Sequence, residues 1–367
     1  MKIVNLKLHN FRNYKSLDLD FSGKQNIIIG QNGSGKTNII EAIYVLALTK
    51  SFRGNLDRIL INNKETTMKI KGTIKDNILK NYEIIITPKG KIVKQNGNKI
   101  HKLSEHISKI NIVLFTPDDT NVIRYAPQNR RNMINIAISQ LDNDYLFILN
   151  EYNKVLKQRN SYLKLIYTNS LASQDYLDIL TDKLIELGIK ISNYRNDFIN
   201  QINQYIDKIN FDITKRKGLK IKYISSFKNQ KNHSLQKKYK YYLEKDLMIG
   251  KTNIGIHHDD FIFSFDNKNL KEYGSTGEQK NAIICFKLSQ IELFIKKNKK
   301  YPILILDDMF SELDSKVINN LLKKLNKNLQ IFITTTDLNN INTKVLNNCT
   351  VFELKKQKVV KKLYEQK

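Results

Sequence analysis

The 367-residue sequence predicts an α/β fold, in which both ends of the chain build a mixed or parallel sheet domain and a short helical arm is inserted between them. Three observations predict it. A glycine-rich loop near the start joins a β-branched run to a helix-period segment. Two further buried-strand runs lie beyond residue 300. The middle keeps apolar residues at three/four spacing over many turns. The expected divisions are 1–115, the first part of the sheet domain, 116–249, the inserted arm, and 250–367, the second part of the sheet domain.

The elements follow in order. Ile3, Leu6 and Leu8, then Leu17, Leu19 and Phe21, predict two strands separated by "HNFRNYKS". Ile27-Ile28-Ile29 is short, β-branched and continuous, as a central buried strand requires. After a glycine loop, Ile39, Ile40, Ile43, Leu46 and Ala47 repeat at helical period. Residues from about Thr66 to Gly97 read as strands, with turn chemistry at Pro88-Lys89-Gly90 and Asn96-Gly97. "NIVLFTPDD" (111–119) is an apolar run ended by proline. Two helical stripes, 145–166 and 177–209, flank a polar break from Asn169 to Asp175 and predict a long hairpin whose second helix reaches ~50 Å. A projecting arm and an ordinary packed layer both fit that pattern. Further on, "FIFSF" (261–265) predicts a strand and Glu278 to about Lys296 a helix. "YPILILDDMF" and "LQIFITTTDL" (329–338) predict buried strands, and the tail from Val351 alternates apolar and basic residues.

Apolar residues make up 41% and charged residues 26%, a globular composition with no run approaching the ~18 apolar residues of a membrane span. The opening "KIVNLKL" is strand-like, so no secretory leader is expected. Cys285 and Cys349 lack metal-ligand spacing, which fits a reducing cytoplasm. The formal charge of +27 favours a polyanionic partner such as DNA, while a lysine-, asparagine- and isoleucine-rich composition accounts for it equally well. Ile213 to Leu243 holds ten Lys/Arg and no acid, interleaved with Tyr239, Tyr241 and Tyr242. That stretch reads either as a phosphate- and base-contacting surface or as solvated chain.

Three motifs carry chemistry. Gly30-Gln31-Asn32-Gly33-Ser34-Gly35-Lys36-Thr37 matches G-x-x-x-x-G-K-T, between a strand and a helix. The glycines let backbone N–H groups approach the phosphates of ATP, Lys36 reaches the β/γ-phosphates, and Thr37 binds Mg²⁺. Ile303 to Asp308 delivers two carboxylates to a strand end: Asp307 is a candidate Mg²⁺ ligand and Asp308 a candidate catalytic residue, orienting or deprotonating water, with Lys36. Ser275-Thr276-Gly277-Glu278-Gln279 has the pattern S-x-G-x-Q and opens a helix. It lacks the lysine-threonine pair of a self-contained phosphate loop.

This order of motifs, followed by Ser311-Glu312-Leu313-Asp314, resembles the ABC-type P-loop ATPase heads of DNA-maintenance proteins. "NFRNY" (10–14), "GQNGSGKTNIIEAIY", "TPDD" (116–119), "RR" (130–131), "LKQRN" (156–160), "DD" (259–260), "STGEQK" and "LILDDMFSELD" together resemble the RecF recombination-repair family. The resemblance implies an ATP-dependent homodimer in which ATP sits between Lys36 of one subunit and Ser275, Gly277 and Gln279 of the other. Ser311 to Asp314 would be the loop that crosses the dimer interface. It implies weak, DNA-stimulated ATP hydrolysis, binding to single-stranded or gapped DNA, and cooperation with RecO- and RecR-like proteins in recombinase loading, replication restart and the damage response. Arg12, after the first strand, would contact the nucleotide; a surface-turn arginine fits the same position.

The sequence departs from the pattern at several points. Asp308 stands where related heads place Glu, which weakens the expectation of vigorous hydrolysis. Thr336 occupies the position of a transporter-type switch histidine. His258 replaces an arginine of the family's Gly-x-His-Arg-Asp-Asp, and His257-His258-Asp259-Asp260 reads as turn capping or polar packing ahead of a metal site. Arg130-Arg131 fits DNA contact or simple exposure, and Cys285 fits core packing. Two other functions compete: a transporter-type ATPase subunit, and a scaffold that binds ATP without hydrolysing it.

Overall fold

The computed structural model describes all residues except 22, 55, 169–172, 310–316, 318–319, 322–324, 326, 339–348, 356–357 and 365–367. The chain divides into two compact units. The first comprises Met1–Asp119, Phe211–Lys215 and Lys287–Lys367; the second comprises Thr120–Asn210 and Arg216–Phe286.

The first unit contains two six-stranded sheets. One is antiparallel, in the order Tyr14–Asp20, Lys2–Phe11, Met68–Lys75, Leu79–Thr87, Gly90–Gln95, Asn98–Lys99. Its strands bury alternate residues, as Met68, Ile70, Gly72 and Ile74 do, because one face packs on the core and the other does not. The other sheet is mixed, in the order Lys358–Tyr364, Cys349–Lys355, Gln25–Ile29, Gln330–Thr335, Ile303–Asp307, Ile112–Phe115. Only its first two strands pair antiparallel; the rest are parallel. Strands Ile303–Asp307 and Gln330–Thr335 are buried at every residue, which explains why they read as continuous apolar runs. The helix Lys36–Leu48 packs against both sheets, and every residue from Ile39 to Leu48 is buried. Phe21 sits edge-on against Phe332 and Phe352, at ring distances of 4.9 and 5.3 Å, and belongs to the same core cluster as Ile43, Leu46, Ile70 and Ile305. "TPDD" is anchored by a buried lysine: Lys287 donates to the Leu114 carbonyl (2.5 Å) and to the Asp119 carboxylate.

The second unit is built on the predicted hairpin, helix Asn143–Thr168 and helix Gln174–Thr214 as far as Asn210. The 41-residue second helix runs ~60 Å at ~1.5 Å per residue. Tyr145, Tyr152, Leu163, Leu184, Ile191 and Ile202 from the two stripes are buried, so the hairpin is a packed layer of this unit. A three-stranded antiparallel sheet orders Lys268–Asn269, Asp260–Phe265 and Leu219–Ile224. That pairing corrects the expected division at 249. Strand Asp260–Phe265 is bonded along its length to Leu219–Ile224, so residues 250–286, including the S-x-G-x-Q loop, belong to this unit. The basic segment folds into ordinary elements. Leu219, Ile221 and Tyr223 point inward while Lys220 and Lys222 face out, and Tyr239 is core although Tyr241 is 82% exposed. Among the described residues no helix is long and apolar enough to cross a membrane.

Candidate nucleotide-binding site

In the first unit, parallel pairing brings the glycine loop and the aspartate pair to the same sheet edge. The loop Gly30 to Gly35 leaves strand Gln25–Ile29, Asp307 ends strand Ile303–Asp307, and strand Gln330–Thr335 lies between them. This is the carboxyl edge, where α/β folds bind ligands. The loop is held by backbone bonds: Gly30 N–H donates to Thr335 O (3.3 Å), and Ser34 N–H donates to Gln31 O (3.1 Å). Gly35 has φ 105°, and a Cβ there would lie 2.5 Å from Tyr14 Oη, so glycine is required twice over. Tyr14 Oη donates to Gly35 O (3.2 Å) and so closes the loop from the first sheet. Gln31, Asn32 and Gly33 are exposed at its tip. Ser34 Oγ is buried, with no hydrogen-bond partner among the described residues.

Lys36 lies under the loop, 6% exposed, and its ammonium donates to Gly30 O (2.6 Å) and Gln31 O (3.1 Å). Burial lowers its pKa, and Asp308 and Asp307 partly offset that. Thr37 Oγ1 donates to Asp307 Oδ1 (3.4 Å), which joins the two expected metal ligands across 270 residues. Thr334 Oγ1 donates to the same oxygen (2.6 Å) and accepts from the Asp308 N–H (2.9 Å). One hydroxyl of the middle strand thus orients both aspartates, a role that sequence reading missed. Burial raises the Asp307 pKa, the Thr334 hydrogen bond opposes it, and nearby Asp308 adds to the rise. Asp308 itself sits at φ 48°, a left-handed conformation that Asp tolerates better than longer side chains. The donor set of one hydroxyl and one carboxylate is all oxygen, which suits Mg²⁺.

Arg12 is also left-handed, at φ 53°. It is held there on three sides. Its N–H donates to Leu60 O (2.8 Å), its carbonyl accepts from Asn62 Nδ2 (2.7 Å), and its guanidinium makes a bidentate pair with Glu41 (2.8 and 2.6 Å). Arg12 stands in the turn between the first two strands, with its guanidinium held on a buried carboxylate rather than loose at the surface. Glu41 is fully buried and also accepts from Ser51 Oγ (2.5 Å). Arg53 reaches Asn38 Oδ1 (3.2 Å), one residue past Thr37. Neither Glu41 nor Arg53 stood out in the sequence.

The S-x-G-x-Q loop lies in the second unit and opens the helix Thr276–Asn298. Ser275 and Glu278 form a reciprocal capping box. Ser275 N–H and Oγ donate to Glu278 Oε2 (3.0 and 3.1 Å), and Glu278 N–H donates to Ser275 Oγ (3.3 Å). Arg216 pairs with Glu278 (2.7 Å) and stacks 4.2 Å from the Phe265 ring; the Ser275 N–H first, then Arg216 and the Ser275 hydroxyl, lower the Glu278 pKa. Ser275 and Gly277 are exposed, and a Cβ at Gly277 would meet nothing within 4 Å. Gln279 departs from the expectation of nucleotide contact. It is 3% exposed, and its amide is committed to the loop itself: Nε2 donates to Leu270 O (2.7 Å) and Gly274 O (3.1 Å), and Oε1 accepts from Arg124 Nε (2.9 Å).

A family model of the RecF/RecN/SMC N-terminal domain matches residues 2–360. A DNA replication and repair protein RecF from Ligilactobacillus salivarius is 36% identical over 98% of this chain and 97% of its own. The chain belongs to the RecF family. A solved structure of the recombination mediator protein RecF with ATP, of the RecFOR pathway, superposes with a TM-score of 0.89 at 31% identity, covering 98% of this chain and 97% of that one. The head of the Pyrococcus furiosus Smc protein shares the fold, with a TM-score of 0.55 at 18% identity. The fold is thus the ABC-type ATPase head of RecF and SMC proteins, and RecF-family membership sets aside the transporter-type reading.

Other expectations resolve within this RecF-family chain. His257 is a packing residue: its Nδ1 accepts from Tyr152 Oη (2.9 Å), and its Nε2 donates to Thr252 O (3.1 Å). Among the described residues no group of three or more His, Cys, Asp and Glu side chains is placed to hold a metal ion. Arg130 is 3% exposed and doubly bonded to Asp260 (2.6 and 2.9 Å), so neither DNA contact nor exposure describes it. Cys285 is fully buried, as core packing predicts. Thr336 is exposed; the working hydroxyl is Thr334, two residues earlier. Ser311 to Asp314 lie outside the described residues.

Proposed function

We propose that this chain is an ATP-gated DNA clamp of recombinational repair and replication restart, in which two copies close around ATP. The observation that carries this reading is a pair of complementary half-sites. The first unit holds a P-loop with a matched metal ligand, and the second holds an exposed serine and glycine at a helix N-terminus. Gly277 supports it most directly. Its backbone is not left-handed and its Cβ position is open, so nothing in its own fold requires glycine. The missing side chain leaves room for a ligand carried by a second molecule. The relatives' names and the ATP-containing structure support the same assignment.

On this reading the Gly30 to Gly35 backbone, the buried Ser34 hydroxyl and the N-terminus of helix Lys36–Leu48 receive the phosphates. An ammonium has three N–H donors, and Lys36 places two on the loop, leaving one for the β/γ-phosphate oxygens. Thr37 and Asp307 would hold Mg²⁺, which neutralises charge on the transferring phosphoryl group. Asp308 orients or deprotonates the attacking water. Its short side chain and fixed backbone reach less far than a glutamate, which makes hydrolysis slow, with DNA stimulating it. Ser275 and Gly277 of the partner copy cap the γ-phosphate. ATP therefore reports whether two copies have met, and hydrolysis releases single-stranded or gapped DNA. RecO- and RecR-like proteins are the partners in loading recombinase.

Sedimentation velocity with ATP and Mg²⁺ tests this. Wild type dimerises with ATP, while Ser275→Arg binds ATP as a monomer and does not dimerise. A wild-type chain that stays monomeric with every nucleotide and DNA would overturn the clamp. Asp308 also favours a second reading, a scaffold that binds ATP without hydrolysis. Single-turnover hydrolysis separates them: equal rates in wild type and Asp308→Asn select the scaffold.

A further inference from the structure

We infer that Arg124 is the positioning residue of the trans γ-phosphate contact, holding Ser275 and Gly277 in place without touching nucleotide. The inference rests on the proposed clamp and deepens it. Arg124 ends the short helix Asn121–Arg124. Its Nε donates to Gln279 Oε1 (2.9 Å) and its Nη2 to Thr276 Oγ1. Gln279, buried at 3% exposure, passes that hold to the Gly274 carbonyl (3.1 Å). One Arg–Gln pair therefore grips the residue before Ser275 and the residue after it. A planar guanidinium is suited to such a two-point grip, whereas an ammonium makes a point contact.

Arg124 is itself fixed from behind. Arg130 Nη1 donates to the carbonyls of Val122 (3.0 Å), Ile123 (2.9 Å) and Tyr125 (3.0 Å), which surround Arg124 in sequence. The rest of the Arg130 guanidinium is locked on Asp260, the first residue of a sheet strand. The relay thus runs from the sheet through Asp260, Arg130 and the 122–125 backbone to Arg124, and from there to the loop. The Ser275–Glu278 capping box sets the shape of the loop, and Arg124 sets its orientation. Arg130, which the sequence offered as a DNA contact or a simply exposed residue, gains a different purpose here.

The test compares Arg124→Ala, Arg124→Lys, Thr276→Val and Ser275→Arg for ATP binding by the monomer and for ATP-dependent dimerisation. Charge-assisted hydrogen bonds of this kind are worth roughly ten- to a hundredfold in an equilibrium constant. Arg124→Ala is expected to keep monomer ATP affinity and to weaken the dimer by about tenfold or more. Arg124→Lys restores part of it, and Thr276→Val loses part of it. Wild-type dimer affinity in Arg124→Ala overturns the inference, provided Ser275→Arg has lost the dimer. If Ser275→Arg still dimerises, the clamp reading itself fails. Should Arg124→Ala unfold at lower denaturant than wild type, Thr276→Val carries the decision, and unchanged dimerisation in it overturns the inference.

Discussion

Gly277 and Glu41 show how single residues separate folding from function. A helical glycine costs about 0.5–1 kcal/mol relative to alanine, and nothing packs where its Cβ would lie. Gly277→Ala should therefore leave urea unfolding unchanged or make the protein slightly more stable. The same variant should lose ATP-dependent dimerisation in sedimentation, because the methyl group occupies the approach to the γ-phosphate. A destabilised variant would show that the glycine serves the fold. Glu41 is the opposite case. It is fully buried and neutralises an arginine held in a left-handed conformation. Glu41→Gln leaves that guanidinium without its carboxylate and should cost about 2 kcal/mol in urea unfolding, within the range for a charge-assisted hydrogen bond. ATP affinity should fall with it, since Arg12 and the P-loop helix lose their common anchor.

Elements were legible where one short stretch sufficed. Strand Ile303–Asp307 and helix Lys36–Leu48 follow from apolar pattern and spacing alone, and so does Lys36 in its loop. Thr334, Glu41 and Arg124 were not legible, because their roles arise from partners 27, 29 and 155 residues away. No local pattern marks a threonine in a β-run as the hydroxyl that orients two aspartates. The second unit hid its extent for the same reason: strand Asp260–Phe265 looks like the start of a new domain until its pairing with Leu219–Ile224 is known. The short turn Ile256–His258 carries a pH prediction. Burial lowers the His257 pKa to about 4, with the Thr252 carbonyl opposing it in part and His258 adding to the fall. The folded chain keeps the ring neutral, while the unfolded chain takes up a proton below about pH 6.5. Its contribution is therefore full above pH 6.5 and is lost as pH falls toward 4, at up to about 1.4 kcal/mol per pH unit. Urea unfolding at pH 7.5 and 5.0 should differ by about 2 kcal/mol more in wild type than in His257→Gln. Equal differences would show that His257 is not the titrating group.

At the scale of the whole molecule, the net charge of +27 opposes the dimer that the clamp needs. Two such copies repel, and the repulsion between surface charges weakens as salt shortens the screening length to about 10 Å at 0.1 M. ATP-dependent dimerisation without DNA should therefore strengthen as salt rises from low to moderate concentration. DNA reverses the sign. A polyanion lying along both copies neutralises their charge, and its own binding weakens steeply with salt through counterion release. With gapped DNA and ATP present, the dimer should be tightest at low salt and should dissociate as salt rises. Sedimentation velocity across a salt series, with and without DNA, reads both slopes. Lys36→Arg separates the ATP contribution: it should bind DNA with an unchanged salt slope per monomer but lose the ATP-dependent increment on gapped substrates. If the DNA-free dimer instead weakens with salt, ion pairs across the interface hold it, and the positive charge then serves the contact between copies as well as DNA.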